Sequence, residues 1–148
     1  MAKLGIFRGS FDPVHVGHVE AALVALAACE LDRVLLLVEK TPHHKGNLTA
    51  YEHRKKMEEL ALQDNPKLQD WEPKTTDLTL KKLIPELKKV FPSDTYCLIL
   101  GSDVFVTVPE WSDLDHLNAI DVCVVLRTNS EEAKIQTAIK KLKEKLPK

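Results

Sequence analysis

Gly9-Ser10-Phe11-Asp12-Pro13-Val14-His15-Val16-Gly17-His18 follows a short apolar run, Leu4 to Phe7, and precedes a long Ala- and Leu-rich stretch. A strand, a small-residue turn and a helix start, in that order, form the first unit of an alternating α/β chain. The turn lets backbone N–H groups approach an anion closely, and the helix start adds the positive end of its dipole. His15 and His18, three apart, put two side-chain donors on one face of the first helical turn. Gly9 permits a tight turn or a close ligand approach. Ser10 offers a hydroxyl, Pro13 fixes φ near the helix entrance, and Gly17 removes a side chain that would lie across the helix start. The stretch reads as a phosphate site. A zinc pair at this spacing would need a third protein ligand that the sequence does not place nearby. A plain helix cap would not call for two histidines.

Outward from this stretch, short β-like runs alternate with longer helical ones. The strand candidates are Lys3 to Phe7, Arg33 to Val38, Tyr96 to Leu100 and Asp121 to Leu126, with a weaker one around Leu68 to Trp71. Several are continuous apolar runs, as expected of strands buried on both faces of a parallel sheet. Helical patterns span His15 to Cys29, Tyr51 to Gln63, Leu78 to Val90, Ser112 to Ala119 and Glu131 to Leu146. Pro85 should kink or split the third of these. The last is basic and amphipathic, with Ala133, Ile135, Ala138, Ile139 and Leu142 on one side. The expected fold is α/β: a Rossmann-like, doubly wound parallel sheet with right-handed crossovers, forming a single domain over residues 1–148. Such sheets bind ligands beyond the carboxyl ends of the strands, where the strand order switches. The decapeptide lies just past the end of the first strand.

The 148 residues suffice for one domain with a real core, and 44% apolar and 29% charged residues are ordinary for a globular chain. A formal net charge of −1 gives no general attraction to nucleic acid or anionic membrane, so neither is expected as a partner. The N-terminus lacks the features of a signal peptide, and the longest apolar run, Ala21 to Cys29, is too short to span a bilayer. The expected location is the cytoplasm. Cys29, Cys97 and Cys123 are odd in number, scattered and set in apolar stretches, so they read as small buried hydrophobes without a Cys-x-x-Cys metal or redox pair.

The decapeptide resembles the His-x-Gly-His signature of the nucleotidylyltransferase superfamily. Within it the chain looks most like the bacterial nicotinate-nucleotide adenylyltransferases. Thr41-Pro42-His43-His44-Lys45 resembles that family's Pro-His-Lys loop after the second strand, and Arg54 and Met57 match the helix that follows. Thr75-Thr76, ahead of Thr79-Leu80, resembles the segment that meets the nicotinate ring. Leu100-Gly101-Ser102-Asp103, with Trp111 downstream, resembles the Gly-x-Asp loop and its later Trp. The motifs occur in the family's order from residue 4 to about residue 127.

The resemblance implies adenylyl transfer from ATP to nicotinate mononucleotide, giving deamido-NAD and pyrophosphate. The acceptor phosphate would attack the α-phosphorus in line, so catalysis is positioning and charge stabilisation, with no enzyme nucleophile. His18 and His15 would be the catalytic pair. Gly9, Ser10, His15, Gly17, His18, Lys45, Gly101 and Asp103 would hold ATP. His44, Lys45, Thr76, Asp103 and Trp111 would meet the mononucleotide. Mg²⁺ would come with ATP, held mainly by phosphate oxygens and water rather than by a protein cage.

Several of these residues also have simpler readings. Asp103 suits a helix start beside the positive dipole, Trp111 suits a core, and Thr76 suits a helix cap. His43, His44 and Lys45 suit a solvated basic loop. His53 and His116 read as surface residues, and Arg54 as a structural ion-pair residue. Other transferases of the superfamily, moving adenylyl to pantetheine phosphate or cytidylyl groups, fit the chain's length but fit these loops less well. A truncated nucleotide-binding module is the non-catalytic alternative.

The chain departs from the family pattern twice. Arg8 stands where the family usually has a Gly, and its long cation would either contact phosphate or block close approach. The family's Ile-Ser-x-Thr-x-x-Arg segment, a second grip on the triphosphate, is not found after Leu126. In its place Thr128-Asn129-Ser130, with Lys134 behind, offers hydroxyls and a cation at a helix start. Asn129 with Glu132 equally resembles a capping box. The lysines of the final helix form a solvated face or a surface for a second copy of the chain.

Overall fold

The apolar runs form five parallel strands: β1 (Lys3–Gly9), β2 (Arg33–Val38), β3 (Leu68–Asp70), β4 (Thr95–Gly101) and β5 (Asp121–Val125). Between and after them lie α1 (Val16–Ala28), α2 (Tyr51–Ala61), α3 (Leu80–Val90) and α4 (Glu132–Lys145). These come from a computed structural model that describes residues 2–9, 11, 16–39, 50–75, 78–101, 105, 108–110, 120–125 and 132–145. The expected helix at 112–119 lies outside the described residues, as does the 128–130 stretch.

The sheet order is β3-β2-β1-β4-β5, every neighbour parallel. Side chains alternate across it and build two cores. Leu4 and Ile6 of β1, Leu35 and Leu37 of β2 and Leu98 and Leu100 of β4 face α3 and α4, packing on Leu80, Leu83, Leu87, Ile135 and Ala138. Val34, Leu36, Val38, Cys97, Ile99 and Cys123 point the other way, against Ala22 and Ala25 of α1 and Leu62 beyond α2. Burial on both faces is why these strands read as unbroken apolar runs. The doubly wound expectation holds.

Pro85 neither splits α3 nor ends it; the helix runs unbroken through it. Leu83, Ile84 and Leu87 are buried while Pro85 is on the exposed face, so the ladder bond that proline cannot donate is lost on the side where water substitutes. The apolar stripe outweighs the break. α1 ends in a Schellman motif, with Leu31 N–H donating to the Leu26 carbonyl and Glu30 N–H to that of Ala27. The left-handed residue of the motif is Glu30, at φ 53°, a place where glycine is usual.

Candidate functional site

β1 and β4 are hydrogen-bonded from Lys3/Thr95 only as far as Ile6/Leu98. Past that point β1 pairs with β2 alone, through Gly9/Val38, and β4 with β5 alone, through Gly101/Val125. The two central strands therefore part at their carboxyl ends. This is the switch in strand order, and the crevice it opens is flanked by two of the expected ATP residues, Gly9 and Gly101.

Of the two roles expected of Gly9, a tight turn or a close ligand approach, the turn is not made at this residue. It is a strand residue, and its carbonyl accepts from Glu39 N–H at 2.8 Å. The left-handed turn falls instead on Phe11, at φ 46°. Burial holds this unfavourable backbone in place: Phe11 is only 2% exposed, and its ring stands edge-on to Phe7 at 5.4 Å between centroids. A Cβ on Gly9 would sit 3.3 Å from that ring, so the glycine is needed for the aromatic's room rather than for its own φ.

His18 is the third residue of α1, half-buried, with its ring edge-on to Phe11 at 4.9 Å and to Phe7 at 6.3 Å. Two aromatic rings thus wall one side of the imidazole. Gly17 beside it is exposed and adds no side chain. The helix start that carries both follows the carboxyl end of β1, so its positive pole belongs to the crevice edge. Arg8 goes elsewhere. It shares the face of β1 used by Leu4 and Ile6, and its Nη1 donates to the Leu78 carbonyl. Its bulk and charge leave the face that holds His18.

Of the expected site residues, Gly9, Gly17, His18 and Gly101 are therefore placed around one crevice. Ser10, His15, His44, Lys45, Thr76, Asp103 and Trp111 lie outside the described residues. The chain bordering two of these segments is anchored. Arg54, 1% exposed, donates from Nη1 to the Glu39 carbonyl at 2.6 Å, just before the segment of His44 and Lys45, and lies over the Tyr51 ring at 5.8 Å. These contacts are structural, as expected, though with a backbone carbonyl and a ring rather than an ion-pair partner. Glu86 of α3 accepts from the backbone N–H of Lys74 at 2.6 Å and of Thr75 at 2.8 Å, next to Thr76. Between these anchors is a narrow cleft of about 10 Å³, room for about one water, bordered by Val38, Tyr51, Trp71, Glu72, Thr75 and Leu78. Tyr51 donates to Glu72 Oε1 at 2.6 Å, and burial with that carboxylate raises its phenol, so it acts as a donor. His53 is exposed, as expected.

The sequence reading missed a buried acid facing a half-buried one under this region. Glu58 is fully buried, and no donor among the described residues reaches either carboxyl oxygen. It faces Asp70, which is itself held by Lys55 Nζ at 2.5 Å. Desolvation first, then the Asp70 carboxylate, drives Glu58 far above the ordinary carboxylate range, so the pair shares a proton that resides on Glu58. Phe11 was also missed. No residue-level signal marks either: an acid in a polar helix and an aromatic in a loop are each common.

Parallel strands parting at a switch point, with an imidazole at the start of the first helix, are the architecture of a Rossmann-like ligand-binding protein. The chain belongs to the cytidylyltransferase-like family, which it matches over residues 6–144. It is 36% identical over 123 residues to the nicotinate-nucleotide adenylyltransferase of Bacillus subtilis, covering 79% of this chain and 65% of that one. To the protein named probable nicotinate-nucleotide adenylyltransferase in Shouchella clausii it is 32% identical over 146 residues, covering 92% and 73%. It spans 63% of the Oceanobacillus iheyensis relative, so about two thirds of such proteins is represented. In fold it resembles the Plasmodium falciparum nicotinic acid mononucleotide adenylyltransferase complexed with NaAD, with a TM-score of 0.75 at 19% identity, covering 90% of this chain and 71% of that one. Among the described residues no helix is long and apolar enough to cross a membrane.

Proposed function

We propose that the chain transfers the adenylyl group of ATP to nicotinate mononucleotide, forming deamido-NAD and releasing pyrophosphate. The observation that carries this is His18, set by Phe7 and Phe11 at the start of α1 beside the crevice where β1 and β4 part. The family and the relatives named above support the choice of reaction.

In this reading the acceptor phosphate attacks the α-phosphorus in line, and the protein's work is to hold the partners and offset charge. His18 donates to the α-phosphate as negative charge builds on it. Ser10 and His15, with the backbone at Gly9 and Gly17, hold the remaining ATP phosphates, and Lys45 reaches them from the facing segment. Gly101 and Asp103 hold the nucleoside on the far side of the crevice. His44, Thr76 and Trp111 meet the mononucleotide.

The donors placed at the helix start are an imidazole and the positive pole of α1, which suit phosphate oxygens rather than a bare cation. Magnesium therefore fits as a companion of ATP, neutralising the phosphates. Among the described residues no three His, Cys, Asp or Glu side chains gather to hold a metal.

The test is pyrophosphate release from ATP, nicotinate mononucleotide and magnesium. His18→Ala should lower the rate by on the order of 100-fold or more, as loss of a transition-state donor does, with ATP binding retained. A wild-type protein that binds ATP yet forms no dinucleotide overturns the reading. Turnover only with pantetheine phosphate, or only with CTP, would correct the substrate.

A further inference from the structure

The fold gathers the three cysteines that are far apart in sequence. Cys29, Cys97 and Cys123 are all free thiols. Cys29 caps the carboxyl end of α1, Cys97 is on β4 and Cys123 is on β5. Sγ of Cys29 lies 2.7 Å from Sγ of Cys123, across 94 residues of chain. Cys97 shares the same face of the sheet as Cys123, on the neighbouring strand. Cys97 and Cys123 are buried, at 2% and 8% exposure, whereas Cys29 is half-buried and opens the group to solvent.

We propose that Cys29 and Cys123 are a modification site: a thiol pair that a peroxide converts to a disulfide. Of the two pairings open to Cys123, the sheet disfavours Cys97. The register sets Ile99 opposite Cys123 and Cys97 opposite Asp121, so Cys97 and Cys123 are two residues out of step on adjacent strands. Two residues of rise against one strand spacing put their Cα atoms about 8 Å apart. A disulfide needs less than about 7 Å, and the strands cannot slide to supply it.

Cys29 is not tied to the register of the sheet. It approaches from above the sheet, held over β5 by the Schellman motif that ends α1. The sulfurs need to close by less than about 1 Å to reach bonding distance.

The chemistry balances with peroxide as oxidant. The Cys29 thiolate, its proton released to water, attacks one peroxide oxygen. The O–O bond breaks, hydroxide leaves and takes up a proton to become water, and Cys29 becomes a sulfenic acid. Sγ of Cys123 then attacks the Cys29 sulfur. The S–O bond breaks, and the departing hydroxide leaves as a second water with the Cys123 proton. Two thiols and one peroxide thus give one disulfide and two waters. The product ties the far end of α1, the helix that carries His18, to the edge strand β5.

The native chain is treated with hydrogen peroxide, alkylated under denaturing conditions and digested without reduction. Cleavage after Lys and Arg alone leaves Cys97 and Cys123 on one peptide, whereas cleavage after Glu as well separates them at Glu110. The expected result is a cross-linked Cys29–Cys123 peptide, a fall in alkylable thiols from three to one, and full reversal by dithiothreitol. Cys97→Ala keeps the link, and Cys29→Ser and Cys123→Ser each abolish it. Three outcomes would overturn the proposal: a link through Cys97, a sulfinic or sulfonic Cys29 beside an alkylable Cys123, or three alkylable thiols after treatment. The wild-type map decides alone, so no variant need fold.

Discussion

Replacing Glu58 by Gln should stabilise the protein, by an amount that grows with pH. Glu58 is fully buried, its oxygens meet no donor among the described residues, and the carboxyl it faces, Asp70, already belongs to Lys55. The folded state therefore holds a proton on Glu58 well into the alkaline side of the ordinary carboxylate range. In the unfolded chain a glutamate releases that proton near pH 4.3.

The folded state binds the proton more tightly, so the stability this pair permits is complete below about pH 4.3 and declines as pH rises toward the folded pKa. The decline is about 1.4 kcal/mol per pH unit. Between pH 5 and 7 it amounts to roughly 2–3 kcal/mol, a large share of a small domain's stability. Glutamine does not titrate, and its amide can donate to Asp70 in place of the carboxylic proton. The stability gap between variant and wild type should widen by the same amount from pH 5 to pH 7. Urea unfolding followed by tryptophan fluorescence at pH 5, 6 and 7 measures it as a growing difference in midpoint at constant slope. A gap that stays flat over this range would show that Glu58 is ionised in the folded protein, and the shared proton would be refuted.

Other expectations follow from single contacts. Gly5→Val should lower the thermal midpoint, because even a Cβ would stand 2.8 Å from Leu31 Cδ1 and 2.9 Å from Ile99 Cδ1; overpacking of this kind costs about 1–3 kcal/mol. Glu30→Gly should stabilise by about 1 kcal/mol in urea titration, by relieving the left-handed backbone at the end of α1. Phe11→Leu should keep the core filled but remove the ring edge that sets His18, lowering kcat about tenfold while KM for ATP changes little. An unchanged kcat would remove Phe11 from the site.

What could be read without coordinates was whatever leaves a local periodic trace. The strands at Arg33–Val38 and Asp121–Val125 are apolar because both of their faces are covered, and the run is visible as such. The switch-point crevice followed from strand–helix alternation and the placement of His18 after β1. The failures share a cause. Pro85 was expected to kink or split α3; it does not split it, because the residue occupies the exposed face and the buried stripe runs on. Of the two roles open to Gly9, a tight turn or a close ligand approach, the turn falls instead on a buried phenylalanine two residues later. Three cysteines counted as scattered became neighbours because residues 29, 97 and 123 meet only through the strand order. Glu58 and Asp70 meet in the same way, across 12 positions. Tertiary contact, unlike periodicity, is not written locally.

The anchors suggest how such a site can be both open and ordered. A reaction that needs no enzyme nucleophile depends on the placement of donors, and a displacement of about 1 Å can cost a hundredfold. The described residues meet that demand from outside the crevice. Arg54 holds Glu39, Glu86 holds Lys74 and Thr75, and Arg8 holds Leu78, in each case through a backbone group at the border of a segment that carries expected ligands. Each anchor is an ionised side chain bonded to a peptide group, a stronger contact than a neutral pair and one that leaves the segment's own side chains for substrate. The strained Phe11 does the same for His18. A left-handed backbone at a non-glycine residue costs on the order of 1–3 kcal/mol, and it persists here because the Phe7–Phe11–His18 packing determines it. The same reasoning explains how Arg8 can stand in a glycine's place. It faces away from His18, so the substitution costs the crevice no room, and its guanidinium becomes a further anchor for the segment leading into α3.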